Sequence, residues 1–348
     1  MKTNHINPIA KKIIDQKIPS ISIIEWAKQI KSSKISALAQ SITLIESSKK
    51  EDRLKARQLL KVCTTGSKKT IRIGITGPPG VGKSSFIESF GTYILKETNL
   101  KIAVLSIDPV SPFQGGSILG DKTRMQHLAV NNRVYIRPTP ATIGASGNDL
   151  GGIHLRTRES IQLCEYAGYE IIFVETVGIG QSAFSISDVT DFIFLLIPPG
   201  GGDELQGIKR GVTELADILI VNKDDSGLQS LAKTTQSQYQ QSMQLFPEKK
   251  INVMRCSSLE SKGIQEIYKR LIELKEASKK SKTWNQKRKS QINRALKNKV
   301  ENAWMEELVF RRKLKSLKAL ESKALKYQHN LDELVDRYVR SLKRTIHL

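Results

Sequence analysis

The sequence of 348 residues predicts an α/β fold in which a mostly parallel sheet is covered by helices on both faces. Three observations predict it. Short β-branched or apolar segments alternate along the chain with segments of helical periodicity. Several apolar segments, such as "DFIFLLI", are continuously hydrophobic, as strands buried on both faces are. A glycine-rich turn connects the first of these strands to a helix.

The elements follow in order along the chain. Residues 1–35 predict a loose lead-in with one short helix, and residues 36–61 predict two helices that break near Ser47 and Ser48. The strands are predicted at "TIRIGIT", "KIAVLSID", "YEIIFVET", "DVTDFIFLLIPP", "ADILIVNK" and "INVMRCSS". The helices between them include "KSSFIESFGTYILKE" and "LRTRESIQLCEYAG". Residues 109–152 are rich in Gly, Pro, Ser and Thr and predict a functional loop region with short elements.

After about residue 275 the chain becomes a highly charged helical extension. One apolar stripe recurs every four residues, at Ile292, Leu296, Val300, Trp304 and Leu308. Such a stripe packs either on the chain's own core or on a helix from a second subunit, and both readings stay open. We therefore expect an N-terminal helical extension at residues 1–68, a central domain at residues 69–275 and a C-terminal helical extension at residues 276–348.

Composition restricts the partners and the compartment. The formal net charge is +22, which fits an anionic partner or a lysine-rich solvated surface. We favour the solvated surface, without nucleic acid or membrane, because the basic residues are not interleaved with aromatic ones. Cys63, Cys164 and Cys256 are scattered and the five histidines are dispersed, which predicts neither a disulfide framework nor a transition-metal site. The absence of a long apolar segment or a secretory signal predicts a cytoplasmic protein, or a mitochondrial matrix protein in a eukaryote.

The stretch "GPPGVGKSS" matches G-x-x-x-x-G-K-[ST] between a strand and a helix. This context predicts a P-loop, in which backbone N–H groups and a helix N-terminus hold phosphate. We expect the glycines to let the phosphates approach, Lys83 to reach the outer phosphates and Ser84 to bind Mg²⁺. The predicted phosphate-binding residues are Gly77, Pro78, Pro79, Gly80, Val81, Gly82, Lys83, Ser84 and Ser85.

A second motif predicts the base. The segment "ILIVNKDD" carries N-K-x-D at Asn222, Lys223 and Asp225. A carboxylate there can accept hydrogen bonds from the ring N–H and the exocyclic amine of guanine, whereas adenine lacks this donor pair. The predicted base-binding residues are Asn222, Lys223, Asp224 and Asp225 and, from "CSSLESKG", Ser257, Ser258 and Leu259.

Three carboxylates predict the hydrolytic part of the site. Glu175 begins an E-x-x-G sequence that ends at Gly178, where P-loop GTPases hold D-x-x-G with a glycine that senses the γ-phosphate. Asp108 ends another strand, and Asp121 lies in the glycine-rich region. We expect Ser84, Asp108, Asp121 and Glu175 to surround one Mg²⁺ and a nucleophilic water.

Four segments together resemble the MeaB/ArgK-type GTPases: "GITGPPGVGKSS", "DPVSPFQGGSILGDKTRM", "VETVGIGQS" and "GGGDELQGIKRGVTELADILIVNKDD". The similarity covers about residues 35–275. The resemblance implies a homodimeric G domain of the SIMIBI class, shared with signal-recognition and nickel-insertion GTPases, with a C-terminal extension for dimerisation. It also implies a third switch at residues 200–211 that senses the partner through Asp203, Glu204, Gln206 and Lys209, with Lys209 able to compensate charge in the transition state.

The resemblance further implies a function. These GTPases are chaperones that dock on an adenosylcobalamin-dependent methylmalonyl-CoA mutase, control cofactor loading from an adenosyltransferase and release damaged cofactor. The implied cofactors are GTP or GDP and Mg²⁺, without direct binding of cobalamin, and the implied catalytic residues are Lys83, Asp108, Glu175 and Lys209. GTP hydrolysis is expected to be slow until the mutase binds.

Three other functions fit the sequence less well. A nickel-insertion GTPase predicts Cys/His clusters that this sequence lacks. An ATPase or kinase of amino-acid transport conflicts with the N-K-x-D motif. A nucleic-acid-binding GTPase is motivated by the net charge alone.

Overall fold

The computed structural model describes residues 22–47, 49–64, 70–109, 125–141, 150–176, 186–200, 210–225, 227–244 and 251–310. Within these ranges the helices are α1 Ile23–Lys31, α2 Ile35–Glu46, α3 Lys50–Val62, α4 Lys83–Glu97, α5 Gln126–Ala129, α6 Leu150–Tyr166, α7 Arg210–Leu215, α8 Gln229–Gln244, α9 Ile264–Lys280 and α10 Thr283–Phe310. The strands are β1 Ile71–Thr76, β2 Ile102–Pro109, β3 Val134–Ala141, β4 Ile171–Thr176, β5 Phe192–Ile197, β6 Ile218–Val221 and β7 Asn252–Arg255. In the described part of the chain, no helix has the length and apolar character that a membrane span requires.

The sheet fixes where the functional loops meet. The described strands form one sheet of seven in the order β3-β2-β4-β1-β5-β6-β7, and every neighbouring pair is parallel. The predicted parallel sheet is thereby confirmed. Because all strands point the same way, the segments that follow β1, β2, β4, β6 and β7 emerge at one edge.

Helices cover both faces of this sheet, as the sequence predicts. Successive side chains of a strand point to opposite faces, and β4 shows both environments. Phe173 belongs to a core that includes Phe86 and Phe90 of α4, whereas Ile172 belongs to a core that includes Ile42 of α2. The continuously apolar sequence of β4 therefore reflects burial on two sides.

The N-terminal helices share a core with one face of the sheet. Helix α1 begins after Ser22, whose hydroxyl accepts a hydrogen bond of 3.2 Å from the backbone N–H of Glu25, as N-cap serines do. Helices α2 and α3 are separated at Ser47, where the sequence predicts the break. Ser47 has an extended backbone, and its hydroxyl donates a hydrogen bond of 2.6 Å to Asp52 in the first turn of α3.

One strand lies where the sequence predicts only a loop region with short elements. Strand β3 pairs with β2 over Val134–Ala141 and forms one edge of the sheet. The prolines at positions 138 and 140 make this strand hard to predict from the sequence, because proline lacks the N–H group that a central strand needs. An edge strand tolerates proline because one side of its backbone has no ladder to complete.

The chain divides into two compact units, whose boundary falls between Arg288 and Lys289. In the first unit, the guanidinium group of Arg288 makes two hydrogen bonds of 2.7 Å to the carboxylate of Asp191 and one of 2.6 Å to the carbonyl oxygen of Thr70. The ring of Trp284 lies 4.8 Å below this guanidinium group and packs edge-on against Phe192. These contacts hold the beginning of α10 at the sheet edge where β1 and β5 start.

In the second unit, the described part of α10 confirms a helix but does not bury the predicted stripe. The side chains of Ile292, Leu296 and Val300 are 57 %, 60 % and 48 % exposed. The side chains of Trp304 and Leu308 lie outside the described part. Both readings of the stripe stay open. The bounds of the three predicted domains stay predictions.

Candidate active site

The predicted P-loop connects β1 to α4 at the carboxyl edge of the sheet. Gly82 has a φ of +93° and directly precedes the first residue of α4. A Cβ atom at Gly82 would lie 2.7 Å from the side-chain nitrogen of Asn222, and a Cβ atom at Gly77 would collide with the carbonyl oxygen of Leu196. Both glycines are therefore required by the protein's own packing, in addition to the predicted approach of phosphate. The helix N-terminus that follows them favours anions.

Lys83 lies folded over this loop. Its ammonium group donates hydrogen bonds of 2.8 Å and 3.0 Å to the carbonyl oxygens of Gly77 and Pro78. Burial lowers the pKa of Lys83, and the nearby Glu175 carboxylate raises it by a smaller amount. A buried cation that donates these hydrogen bonds to neutral carbonyl groups can exchange them for the oxygens of an incoming polyphosphate, which carry more negative charge.

Ser84 and Glu175 meet beside the loop. The hydroxyl of Ser84 donates a hydrogen bond of 2.9 Å to Oε1 of Glu175, and both residues are 8 % exposed. A hydroxyl and a carboxylate at this distance are hard oxygen ligands of the type that Mg²⁺ prefers. The pair therefore fits the predicted Mg²⁺ site.

A second hydroxyl reaches the same carboxylate, from a residue that is not among the predicted site residues. Ser106 of β2 donates a hydrogen bond of 3.5 Å to Oε2 of Glu175 and is 5 % exposed. The signal in the sequence was its position two residues before Asp108, which places both residues on the same side of β2.

Several predicted residues lie wholly or partly outside the described part. The backbone of Asp108 belongs to β2 and pairs with β3, but its side chain is not described. Asp121, Gly178, Asp203, Glu204, Gln206 and Lys209 lie outside the described residues. Among the described side chains, no group of three or more His, Cys, Asp or Glu residues is placed to hold a metal ion.

Asn222 joins the base loop to the P-loop. Its side-chain nitrogen donates a hydrogen bond of 2.9 Å to the carbonyl oxygen of Val81. Its side-chain oxygen accepts hydrogen bonds of 2.7 Å from the hydroxyl and 3.2 Å from the N–H of Ser258. Cys256 adds a weak donor at 3.4 Å, and burial raises the pKa of this thiol to about 12, so that it stays protonated at neutral pH. Asn222 thus connects three segments that are distant in sequence.

Asp225 is the residue predicted to read the base, and its carboxylate is fixed from the next loop. The hydroxyl of Ser257 donates a hydrogen bond to Oδ2 of Asp225 and accepts one of 2.9 Å from the backbone N–H of Glu260. Asp225 is 7 % exposed, so its orientation is set by these contacts. A carboxylate held in one orientation can discriminate between bases by hydrogen bonding.

The other predicted base-loop residues divide into two kinds. Asp224 points to Arg255 at 3.2 Å and Lys262 at 3.8 Å, so its carboxylate holds the loop. Lys223 has a φ of +63°, which is uncommon for a residue with a side chain, and it is exposed. Leu259 is 81 % exposed. Lys223 and Leu259 are therefore available to lie along a flat ligand.

The sequence of the chain is similar to those of known proteins. The model of the family described as "Methylmalonyl Co-A mutase-associated GTPase MeaB" matches residues 38–313. GTPase ArgK of Escherichia coli (strain K12) is 40 % identical over 264 residues, which cover 75 % of this chain and 78 % of ArgK. The mitochondrial "Methylmalonic aciduria type A homolog" of Caenorhabditis elegans is 40 % identical over 292 residues, which cover 80 % of this chain and 72 % of the homolog.

A solved structure extends the similarity to the fold. The crystal structure of a protein titled "LAO/AO transport system kinase" superposes with a TM-score of 0.69 at 29 % identity and covers 94 % of this chain and 98 % of that one. The family model spans most of the chain, and this solved structure shares its fold. The chain belongs to the MeaB family of methylmalonyl-CoA mutase-associated GTPases.

Proposed function

We propose that the chain binds and hydrolyses GTP in order to act as a chaperone of an adenosylcobalamin-dependent methylmalonyl-CoA mutase. In this role it docks on the mutase and gates cofactor loading, protection and reactivation. The preference for guanine is inferred from the Asp225 carboxylate, which Ser257 orients. Asn222 connects the loop of this carboxylate to the P-loop. Membership of the MeaB family supports the mutase as the partner.

Each residue of the site has a place in this proposal. Asp225 accepts the two guanine donors, while Lys223 and Leu259 flank the base. Lys83 exchanges the carbonyl oxygens of Gly77 and Pro78 for the outer phosphate oxygens, which carry more negative charge.

Ser84 and Glu175 would hold Mg²⁺ together with Asp108 and Asp121, and the ion supplies neutralisation of phosphate charge. Lys209 adds charge compensation when the partner engages residues 200–211, with Asp203, Glu204 and Gln206 sensing that partner, and Gly178 senses the γ-phosphate. The contact of 2.9 Å between Ser84 and Glu175 supports the part of this set that is described. We further propose that the chain forms a homodimer through the exposed stripe of α10 and works beside an adenosyltransferase.

Turnover by the purified protein tests this function. GTP and ATP are compared, each with and without a purified methylmalonyl-CoA mutase from the same source, and the Lys83→Ala variant is the matched control. We expect turnover of GTP but not ATP, stimulation by the mutase, and loss of turnover in the variant. Turnover of ATP at the rate of GTP would contradict the assignment of guanine as the base. GTP turnover that the mutase leaves unchanged would contradict the proposal that the mutase is the client.

A transfer assay tests the gating. Adenosylcobalamin is delivered from an adenosyltransferase to the mutase in the presence of the chain and either GTP or a non-hydrolysable analogue. We expect transfer with GTP to exceed transfer with the analogue. Equal transfer with both nucleotides would contradict control by hydrolysis.

A further inference from the structure

Ser106 lies beside Glu175 on the neighbouring strand. The two residues are direct partners in the parallel register of β2 and β4, and the hydroxyl of Ser106 is 3.5 Å from Oε2 of Glu175. Ser106 is 5 % exposed, so its hydroxyl cannot rely on bulk water for a hydrogen bond. A buried hydroxyl is costly unless it has a partner, and the Glu175 carboxylate is that partner.

The two oxygens of this carboxylate are held by different hydroxyls. Ser84 donates to Oε1 at 2.9 Å, and Ser106 donates to Oε2 at 3.5 Å. The last torsion of a glutamate side chain has a broad energy profile, and glutamate has one more rotatable bond than aspartate. A glutamate carboxylate that is hydrogen-bonded at one oxygen keeps more rotational freedom than one that is hydrogen-bonded at both oxygens.

Lys83 offers this carboxylate an alternative partner. Its ammonium group is buried together with Glu175 and interacts electrostatically with it. Since oppositely charged groups attract strongly where water is excluded, a carboxylate free to rotate would move toward Lys83. Such an ion pair would occupy the cation intended for phosphate and remove an oxygen from Ser84.

We propose that Ser106 is a positioning residue that keeps the Glu175 carboxylate turned toward Ser84, and thereby raises the affinity of the GTP-bound chain for Mg²⁺. The inference rests on the proposed function, because it presupposes Mg²⁺ at Ser84 and Glu175. It adds a residue that acts only through Glu175.

Titration of Mg²⁺ against binding of a fluorescent GTP analogue tests the inference. The affinity for the analogue is measured from EDTA to saturating Mg²⁺ in the wild-type chain, in Ser106→Ala and in the control Ser41→Ala. Ser41 is also fully buried, but its hydroxyl bonds to the Ala37 carbonyl oxygen in α2. We expect Ser106→Ala to raise the half-saturating Mg²⁺ concentration by about three- to tenfold, as loss of one hydrogen bond to a charged group does. All values for Ser41→Ala are expected to stay at the wild-type level, whereas Ser106→Ala also weakens binding in EDTA to the extent that Glu175 occupies Lys83.

A double-mutant cycle shows whether Ser106 acts through Glu175. In a Glu175→Gln background, Ser106→Ala is expected to add no further change in the Mg²⁺ requirement. An unchanged requirement in the single Ser106→Ala variant would overturn the inference, and so would an equal effect with and without Glu175. Lack of any Mg²⁺-dependent GTP binding by the wild-type chain would instead overturn the proposed function.

Discussion

The side-chain nitrogen of Asn222 donates a hydrogen bond of 2.9 Å to the carbonyl oxygen of Val81, across 141 residues of sequence. The same side chain accepts two hydrogen bonds from Ser258. The nitrogen and the oxygen of the side-chain amide thus both have hydrogen-bond partners within the protein, and Asn222 is 1 % exposed. The phosphate loop and the base loop consequently hold each other in place.

We expect Asn222→Ala to lower the affinity for GTP by about ten- to a hundredfold, because it leaves buried hydrogen-bonding groups of Val81 and Ser258 without a partner. Equilibrium titration with a fluorescent GTP analogue measures the loss. Asn131→Ala is the matched control, since Asn131 holds only the turn before β3 through Arg133. Equal affinities for Asn222→Ala and Asn131→Ala would contradict the coupling of the two loops.

Asp225→Asn is expected to reverse the preference between GTP and XTP. The amide can donate to the additional carbonyl group of xanthine but cannot accept both guanine donors, so the affinity ratio should change on the order of a hundredfold or more. Competition binding with the two nucleotides gives the ratio. The adjacent Asp224→Asn is the control: its carboxylate pairs with Arg255 and Lys262, so we expect lower stability with an unaltered ratio. A shift in the ratio caused by Asp224→Asn would reverse the roles of the two aspartates.

Arg288→Met is expected to lower the free energy of unfolding by about 3 kcal/mol, because it leaves the buried Asp191 carboxylate without its cation. Urea denaturation followed by circular dichroism measures the change. The side chains of Arg288 and Asp191 are 15 % and 3 % exposed. In the control Lys279→Met, the lost pair with Glu276 is solvent-exposed, and we expect a change of less than about 0.5 kcal/mol. Similar losses in the two variants would argue against a structural role of the Asp191 pair.

Glu46 predicts a dependence of stability on pH. Burial raises the pKa of this carboxyl group, and the attraction of Arg137 and Arg156 opposes the shift only in part. Its Oε1 has no hydrogen-bond partner among the described residues. Since the folded state favours the protonated form, the contribution of Glu46 to stability is present at low pH and is lost as pH rises from the usual carboxyl pKa through the raised value.

The neutral variant Glu46→Gln removes this loss. We expect the free energy of unfolding of the variant, minus that of the wild type, to increase with pH across that window and then to stay constant. Urea denaturation of both proteins at a series of pH values gives the difference. A difference that decreases as pH rises would contradict the sign.

The exposed stripe of α10 predicts self-association. A charge at Leu296, which is 60 % exposed, would have to be desolvated in a dimer. We expect Leu296→Lys to shift the chain from dimer to monomer in sedimentation velocity experiments. Val130→Lys is the control, because Val130 is 85 % exposed and lies outside the stripe. A wild-type chain that sediments as a monomer would exclude the dimer.

Local signals made much of the fold and site predictable. The β-branched "TIRIGIT" and the glycine turn after it determine a strand, a loop and a helix start within about twenty residues. The N-K-x-D motif carries its chemistry in four residues, and the structure ties its first residue to the P-loop. In each case the physical constraint acts between near neighbours in sequence.

The remainder depends on contacts between residues that are far apart in sequence. The prolines of β3 argue against a strand until its position at the sheet edge is known. In the sequence, Ser106 looks like an ordinary strand residue. Its role depends on Glu175 of β4, which is 69 residues away in sequence and lies beside it in the sheet. Arg288 similarly meets Asp191 across 97 residues. No periodicity or spacing within one segment contains such pairings.

Strand β1 lies in the middle of the sheet and separates the candidate site into two parts, one on each side of it. Strands β2 and β4, on one side, carry Asp108 and Glu175, while the loops after β6 and β7, on the other side, carry the residues predicted to select the base. Evolution or design can therefore exchange one half and keep the other. We expect a chimaera that replaces β5–β7 to keep the predicted hydrolytic residues and to acquire a new base preference. It would have to retain an amide side chain at position 222, because that side chain connects the base loop to the P-loop.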